Sequence, residues 1–155
     1  MARKFPFLLM VLPCALASTA KAEETLSGAE IRKLFTDATV AGTYAHGGAF
    51  SEFHAVDGRA LGDNGYTINV DACWNTDGDA ICYHYGALPD RRTYCFTVAR
   101  DGEMLSLRVA ATGRLNARAR VTPGNPQNHG DGGRRWSCDD LLAARGHIRA
   151  AALVR

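Results

Sequence analysis

The fold is decided by residues 66–85, which read YTINVDACWNTDGDAICYHY. Apolar side chains occupy every second position on both sides of a turn, as Tyr66, Ile68, Val70, Ala72 and Trp74 before it and Ile81, Tyr83 and Tyr85 after it. A period of two is typical of strands with one buried face. Asp77-Gly78 is a favoured two-residue hairpin loop. The stretch therefore predicts an antiparallel hairpin.

The same pattern recurs along the chain. Strands are predicted at residues 40–45, 49–56, 66–74, 80–86, 93–100, 104–110 and 115–121. Turn signals separate them at Gly47-Gly48, Asp57-Gly58, Asp101-Gly102 and Gly113. Short strands at regular spacing favour a mainly β (α+β) fold, an antiparallel meander sheet or small barrel, over a parallel sheet.

Short helices are predicted at both ends. Ser27 to Glu30 form a capping box, and the helix after it runs to about Asp37. Ser137 with Asp140 suggests a cap for a C-terminal helix, with residues 147–155 frayed. Between strands and this helix, residues 122–135 form a flexible polar loop, rich in Gly, Pro and Asn.

Residues 1–22 have the pattern of a signal peptide. Arg3 and Lys4 precede an apolar stretch at 5–16, and Ala20-Lys21-Ala22 supplies small residues before a cut. Cleavage is expected after Ala22, with Ala17 as the alternative. The rest, 23–155, is then a single β-rich domain without a transmembrane segment.

Cys14 lies in the predicted signal peptide and is left out. An even number of cysteines remains, which predicts two disulfides in an oxidising compartment: Cys73, Cys82, Cys95 and Cys138. With Asp77 and Gly78 as the loop, Cys73 faces Cys82. Symmetric closure of the next hairpin around Leu88-Pro89 places Cys82 opposite Cys95. Cys82 with Cys95 and Cys73 with Cys138 is the favoured pairing, and Cys73 with Cys82 and Cys95 with Cys138 is the alternative.

Charge divides the domain into two unlike halves. Residues 23–90 hold 11 acids and 3 bases, or −8, whereas residues 91–155 hold 5 acids and 12 bases, or +7. The favoured interpretation is attraction between the halves within one fold. The alternative is that the Arg-rich half binds a polyanion or an acidic partner.

A resemblance adds to these patterns. SGAEIR at residues 27–32, Trp74 before Gly78-Asp79, Cys82-Tyr83-x-Tyr85, Cys95-Phe96-x-Val98 and Gly124-Asn125-Pro126 resemble small exported bacterial proteins of unknown function. The likeness spans most of residues 26–126. In those proteins the cysteines matching Cys82 and Cys95 recur, which supports the favoured pairing, whereas Cys73 and Cys138 depart from the pattern. The resemblance implies no activity.

Motifs for catalysis and cofactor binding are missing. The sequence has no G-x-S-x-G, no H-E-x-x-H and no phosphate-binding loop, so no catalytic residue and no cofactor are predicted. Its histidines lack metal-ligand spacing, and no metal is expected; if a metal binds, His46, His84 and His129 are the candidate ligands. His84 is expected to meet Thr93.

Two surfaces remain as candidate sites. Trp74, Tyr83, Tyr85, Tyr94 and Phe96 share one face and are interpreted as core, but in a partly closed sheet they would line a cavity for an apolar ligand. The other surface is basic and polar, and comprises Arg114, Arg118 and Arg120 with Asn125, Asn128 and His129. Because the chain is predicted to be exported, an acidic envelope component or protein is a better partner for this surface than nucleic acid.

The leading hypothesis is an exported periplasmic or secreted binding module of unknown ligand, either an inhibitor or an envelope-associated protein. Non-enzymatic binding is favoured over catalysis. The alternatives are a small hydrolase using a loop histidine, which needs a nucleophile or carboxylate nearby, and a structural envelope protein.

Overall fold

A computed structural model describes residues 23–86 and 89–141. Their strands and first helix follow in chain order: β1 (Glu24–Thr25), α1 (Gly28–Phe35), β2 (Ala38–Tyr44), β3 (Ala49–His54), β4 (Ala60–Asp63), β5 (Cys73–Asp77), β6 (Ala80–Tyr85), β7 (Arg92–Asp101), β8 (Met104–Val109) and β9 (Leu115–Pro123). A second helix starts at Asp139.

The strands form one antiparallel sheet that curls on itself. β2 to β4 and β5 to β9 are two meanders of consecutive strands, and β9 returns to pair with β2 from Ala38↔Pro123 to Tyr44↔Ala117. β1 adds to the edge of β7 at Thr25↔Ala99. The result is a nearly closed barrel, which confirms the predicted fold class.

The barrel is incomplete between β4 and β5, a region called the seam below. The two strands do not pair along their length, and a bridge joins Arg59 to Cys73. Beside it the Trp74 amide donates to the Gly58 carbonyl at 2.7 Å. The ring of hydrogen bonds therefore closes at the start of β5 only.

The C-terminal segment covers the seam. The Trp136 indole N–H donates to the Ala72 carbonyl at 3.0 Å, and the Arg59 guanidinium lies 5.7 Å from the Trp136 ring centroid. A disulfide between Cys73 and Cys138 fixes this segment to the first residue of β5. The second disulfide joins Cys82 to Cys95. Both bonds are those of the favoured pairing.

One end of the barrel is filled by α1. Its capping box forms as predicted, with the Ser27 hydroxyl and the Glu30 carboxylate each accepting from the other's backbone amide. Phe35 packs edge-on against His54 at 5.1 Å, and His54 lies 5.2 Å from Trp74. Because α1 contacts β2, β5 and β6, it covers this end of the core.

The strand predicted at residues 66–74 is wrong over residues 66–72. The Asn64 side-chain oxygen accepts from the amides of Tyr66 and Thr67, and Gly65 has φ of +87°. These local bonds compete with strand pairing. The chain here is a loop that spans the seam, and β4 just before it was not predicted.

The predicted loop of the β5–β6 hairpin is displaced by one residue. Gly78 and Asp79 form the loop, so that Asp77 faces Ala80 and Asn75, not Cys73, faces Cys82. Gly78 has φ of +52°, and the Asp79 carboxylate accepts from the Gly28 amide at 2.9 Å. The helix start therefore holds the turn in this register.

Ser137 was predicted to cap the C-terminal helix together with Asp140. Asp139 donates its amide to the Ser137 hydroxyl at 3.1 Å, whereas Asp140 pairs with Arg91 at 2.5 Å. The signal peptide, residues 1–22, and the predicted frayed end, residues 147–155, lie outside the described residues.

Within the described part of the chain, no helix is long and apolar enough to cross a membrane. The two disulfides are consistent with an oxidising compartment.

Candidate functional site: a cavity inside the barrel

The barrel encloses a cavity of about 470 Å³ on the side away from α1. Aromatic side chains contribute to its wall from several strands, among them Tyr44, Phe50, Tyr83, Tyr85, Tyr94 and Phe96. They face inward because alternate residues of β2, β3, β6 and β7 point to the inner face. The aromatic face was interpreted as core or as cavity wall, and the structure shows both. Trp74 and Tyr83 belong to the core, and Tyr83 also lines the cavity.

Exposed apolar side chains mark the entrance. Tyr66, Ile68 and Tyr94 line the cavity although they are 75%, 59% and 48% exposed. The His46 ring nitrogen hydrogen-bonds the Tyr66 hydroxyl across this opening. A neighbouring cleft shares His46 and Tyr66 and is also lined by Arg114. An apolar entrance that leads to a cavity is typical of a ligand site.

A buried carboxylate stands on the cavity wall. Glu52 on β3 is 4% exposed, and its Oε1 accepts from Asn69 Nδ2 at 2.6 Å and from the Tyr85 hydroxyl at 3.3 Å. Burial raises the pKa of Glu52 to about 7, against the opposite effect of these two hydrogen bonds. The nearby Asp63 carboxylate raises it further. Glu52 therefore changes protonation near neutral pH.

Asn69 brings the loop of the seam into the site. Its Nδ2 also donates to the Ala60 carbonyl at 3.2 Å, which fixes the orientation of the amide. Its Oδ1 is buried and has no hydrogen-bond partner. The side chain is therefore held by Nδ2, which ties the loop to Glu52 and to β4.

The tyrosine hydroxyls near Glu52 are committed to protein partners. The Tyr44 hydroxyl donates to the Asn64 carbonyl at 2.6 Å, and the Tyr83 hydroxyl bonds His54 Nε2 at 2.7 Å. Burial raises the pKa of Tyr44 and of Tyr83, and lowers the pKa of His54 to about 4. These groups are therefore uncharged at neutral pH.

The predicted arginine surface is placed on the outside of the barrel. Arg118 pairs with Asp101, and Arg120 lies 3.9 Å from Glu103, both acids being at the β7–β8 turn. These acids offset part of the positive charge. The role of this surface in binding an acidic partner stays a prediction.

The predicted loop residues are held against β3. Asn125 bonds His129 twice, accepting from its amide and donating to its carbonyl, each at 2.8 Å. Asn128 has φ of +53°, in the left-handed region. The His129 ring nitrogen lies 2.8 Å from the Ser51 hydroxyl. The loop is thus anchored by side-chain hydrogen bonds, and its first two residues, 122 and 123, belong to β9.

The pair of Ser51 and His129 bears on the hydrolase alternative. His129 Nε2 also lies 2.7 Å from Gln127 Oε1, and that same oxygen accepts from the Ser51 hydroxyl. When Nε2 carries the proton that Gln127 accepts, it cannot take one from Ser51. In that tautomer the three side chains anchor the loop and do not activate Ser51, and the hydrolase alternative stays a prediction.

The three candidate metal ligands lie on different elements. His46 is at the entrance, His129 is in the loop, and His84 bonds Thr93 at 3.0 Å on the outer face of β6, as predicted. Burial lowers the pKa of His84 and of His129. In the described residues, no three His, Cys, Asp or Glu side chains are grouped to hold a metal.

Glu52 and Asn69 were missed from the sequence. Glu52 alternates with Phe50 and His54, which places it on an inner face and was the available signal. Asn69 was assigned to a strand, and the loop that carries it became visible only with the structure.

Comparisons with known proteins yield no match, whether to a family model, to a curated protein or to a solved structure. The cavity and the residues around it therefore carry the functional argument.

Proposed function

We propose that this chain is an exported binding protein that holds a small, largely apolar molecule in the barrel cavity. The observation that carries the proposal is the cavity itself, with aromatic walls, an open entrance and the Glu52–Asn69 pair on its wall. Burial of a carboxylate beside an unpaired amide oxygen costs free energy. A core serving only stability gains nothing from that pair, whereas a bound ligand gains orientation.

Export is part of the proposal. The disulfides and the predicted signal peptide support a periplasmic or secreted location. Mass spectrometry of protein recovered from the exporting host should give a chain that begins at Glu23 and lacks four hydrogens, two for each disulfide. Free thiols or an uncleaved N-terminus would contradict this part.

The cavity is tested by fluorescence titration with the neutral apolar dye N-phenylnaphthylamine. We expect one dye per chain, and we expect Ala117→Phe to reduce binding at least about tenfold because Ala117 is buried and lines the cavity. Ala111→Phe, an exposed position between β8 and β9, is the matched control. Thermal unfolding is measured for both variants to check that they fold.

Two results would contradict the proposal. One is a folded protein that binds no dye. The other is an Ala117→Phe variant that is folded and binds the dye as well as the unchanged chain.

A further inference from the structure

Glu52 offers the cavity a carboxylate oxygen that its two protein donors do not use. Both bonds to Glu52 go to Oε1, which leaves Oε2 free of these two contacts. The Tyr44 and Tyr83 hydroxyls are engaged elsewhere. A ligand that donates a hydrogen bond would satisfy Glu52 Oε2, and one that only accepts would not.

Glu52 also has no cationic partner in the described residues, since no lysine or arginine among residues 23–86 and 89–141 forms an ion pair with it. A buried carboxylate that is ionised without a partner is costly, and a cation beside it removes most of that cost. The missing partner is thus both a donor and a cation.

The aromatic rings around Glu52 suit the same kind of ligand. Tyr44 packs against Phe50 at 4.9 Å, and Tyr83 stacks with Tyr85 at 6.5 Å, and all four rings line the cavity. Aromatic rings attract cations through their electron-rich faces, more strongly where water is excluded. Organic ammonium groups are recognised in such aromatic sites.

We propose that the ligand is an organic cation, with an ammonium group that pairs with Glu52 and an apolar or aromatic body that fills the cavity. This inference rests on the proposed function and specifies the chemical class of the ligand. It requires that affinity depend on the charge of both partners.

Several other charged or titratable groups face Glu52 or line the cavity: Tyr44, His46, His54, Asp63, Tyr66, Asp71, Tyr83, Tyr85, Arg92 and Tyr94. Arg92 is exposed at the start of β7, and Asp71 carries the opposite charge. Both are nearer to solvent than Glu52, so their fields at the carboxylate are screened. Of the carboxylates in this set, Glu52 is the buried one, which makes it the partner for a cation inside the cavity.

The test compares three molecules of similar shape and different charge: phenethylamine, phenethyl alcohol and hydrocinnamate. Calorimetric titration at about pH 8 should give the tightest binding for phenethylamine, by at least about tenfold over the others. Its affinity should rise about tenfold per pH unit up to about pH 7 and then level, because only the ionised carboxylate pairs with it.

Glu52→Gln keeps a hydrogen-bond acceptor and removes the charge. It should lower phenethylamine affinity at least about tenfold at pH 8 and lower phenethyl alcohol affinity much less, because only the amine loses an ion pair. Glu103→Gln, at an exposed turn, is the matched control and should change neither. The pH profile of the unchanged chain tests the same point without any variant.

The inference is overturned if phenethyl alcohol or hydrocinnamate binds as tightly as phenethylamine, or if affinity for the amine does not depend on pH. It is also overturned if none of the three binds while N-phenylnaphthylamine does. In each of these cases binding in the cavity still stands. Failure of the dye as well as the amine would remove the proposed function too.

Discussion

Glu52 connects the cavity to the stability of the fold. Its pKa of about 7 lies above the ordinary value near 4.5, so the folded state binds more protons than the unfolded state between those values. The stability that this group contributes is complete below pH 4.5 and is lost as pH rises through 7. The loss amounts to about 3 kcal/mol.

His54 has the opposite effect. Burial lowers the pKa of this side chain from near 6.5 to about 4, so its contribution is complete above pH 6.5 and is lost as pH falls through 4. Between about pH 4.5 and 6.5, Glu52 lowers the free energy of unfolding as pH rises and His54 raises it by a similar amount per pH unit. They therefore largely cancel in the unchanged protein.

Replacement of Glu52 by Gln should leave the pH dependence from His54 without the opposing contribution of Glu52. We expect the free energy of unfolding of Glu52→Gln, relative to the unchanged chain, to increase by about 3 kcal/mol between pH 4.5 and 7 and then to stay level. Urea unfolding at a series of pH values measures the difference. A difference that does not change with pH would show that Glu52 titrates normally in the folded state.

At the scale of elements, the junction of α1 with the β5–β6 hairpin depends on a residue without a side chain. A Cβ added to Gly28 would lie 2.0 Å from the Gly78 carbonyl oxygen. We expect Gly28→Ala to destabilise the protein by about 1–3 kcal/mol, because either the helix or the turn must move. Gly130→Ala, where a Cβ has open space, is the control and should have little effect. Equal unfolding midpoints for the two variants would contradict this close contact.

The same junction explains what sequence patterns could and could not predict. Alternation in 80–85 gave the correct inner and outer faces, and symmetric closure gave the correct pairing of Cys82 with Cys95. Asp77-Gly78-Asp79 offers two possible loops, and a distant contact from the Gly28 amide selects between them. Local patterns carry no information about such contacts, and for the same reason the site residues Glu52 and Asn69 were not identified.

At the scale of the whole molecule, the charge asymmetry is partly used within the fold. Glu23 pairs with Arg108 at 3.1 Å, and Asp131 lies 3.7 Å from Arg59, so that each pair joins the acidic and basic halves of the sequence. Other pairs, such as Arg118 with Asp101, lie within the basic half. The favoured interpretation of attraction between halves therefore accounts for some of the charges.

The two disulfides should differ in their contribution to stability. Cys73 and Cys138 are 65 positions apart, and Cys82 and Cys95 are 13 apart. Loss of the longer link should cost about 4 kcal/mol and loss of the shorter about 3 kcal/mol, because the unfolded chain regains more freedom in the longer loop. Paired Cys→Ser variants, compared by urea unfolding, measure both. A larger cost for the Cys82–Cys95 pair would show that local packing outweighs chain entropy here.

The barrel wall is weakest at the seam, because the fewest main-chain hydrogen bonds hold it together there. Every other junction around the circumference is a ladder of paired residues, whereas here the main chain is bridged at Arg59 and Cys73. The loop that spans the gap also supplies Asn69 to the cavity wall. A ligand larger than the cavity would therefore separate β4 from β5 first. The Cys73–Cys138 disulfide cross-links the segment that covers this gap and limits the separation.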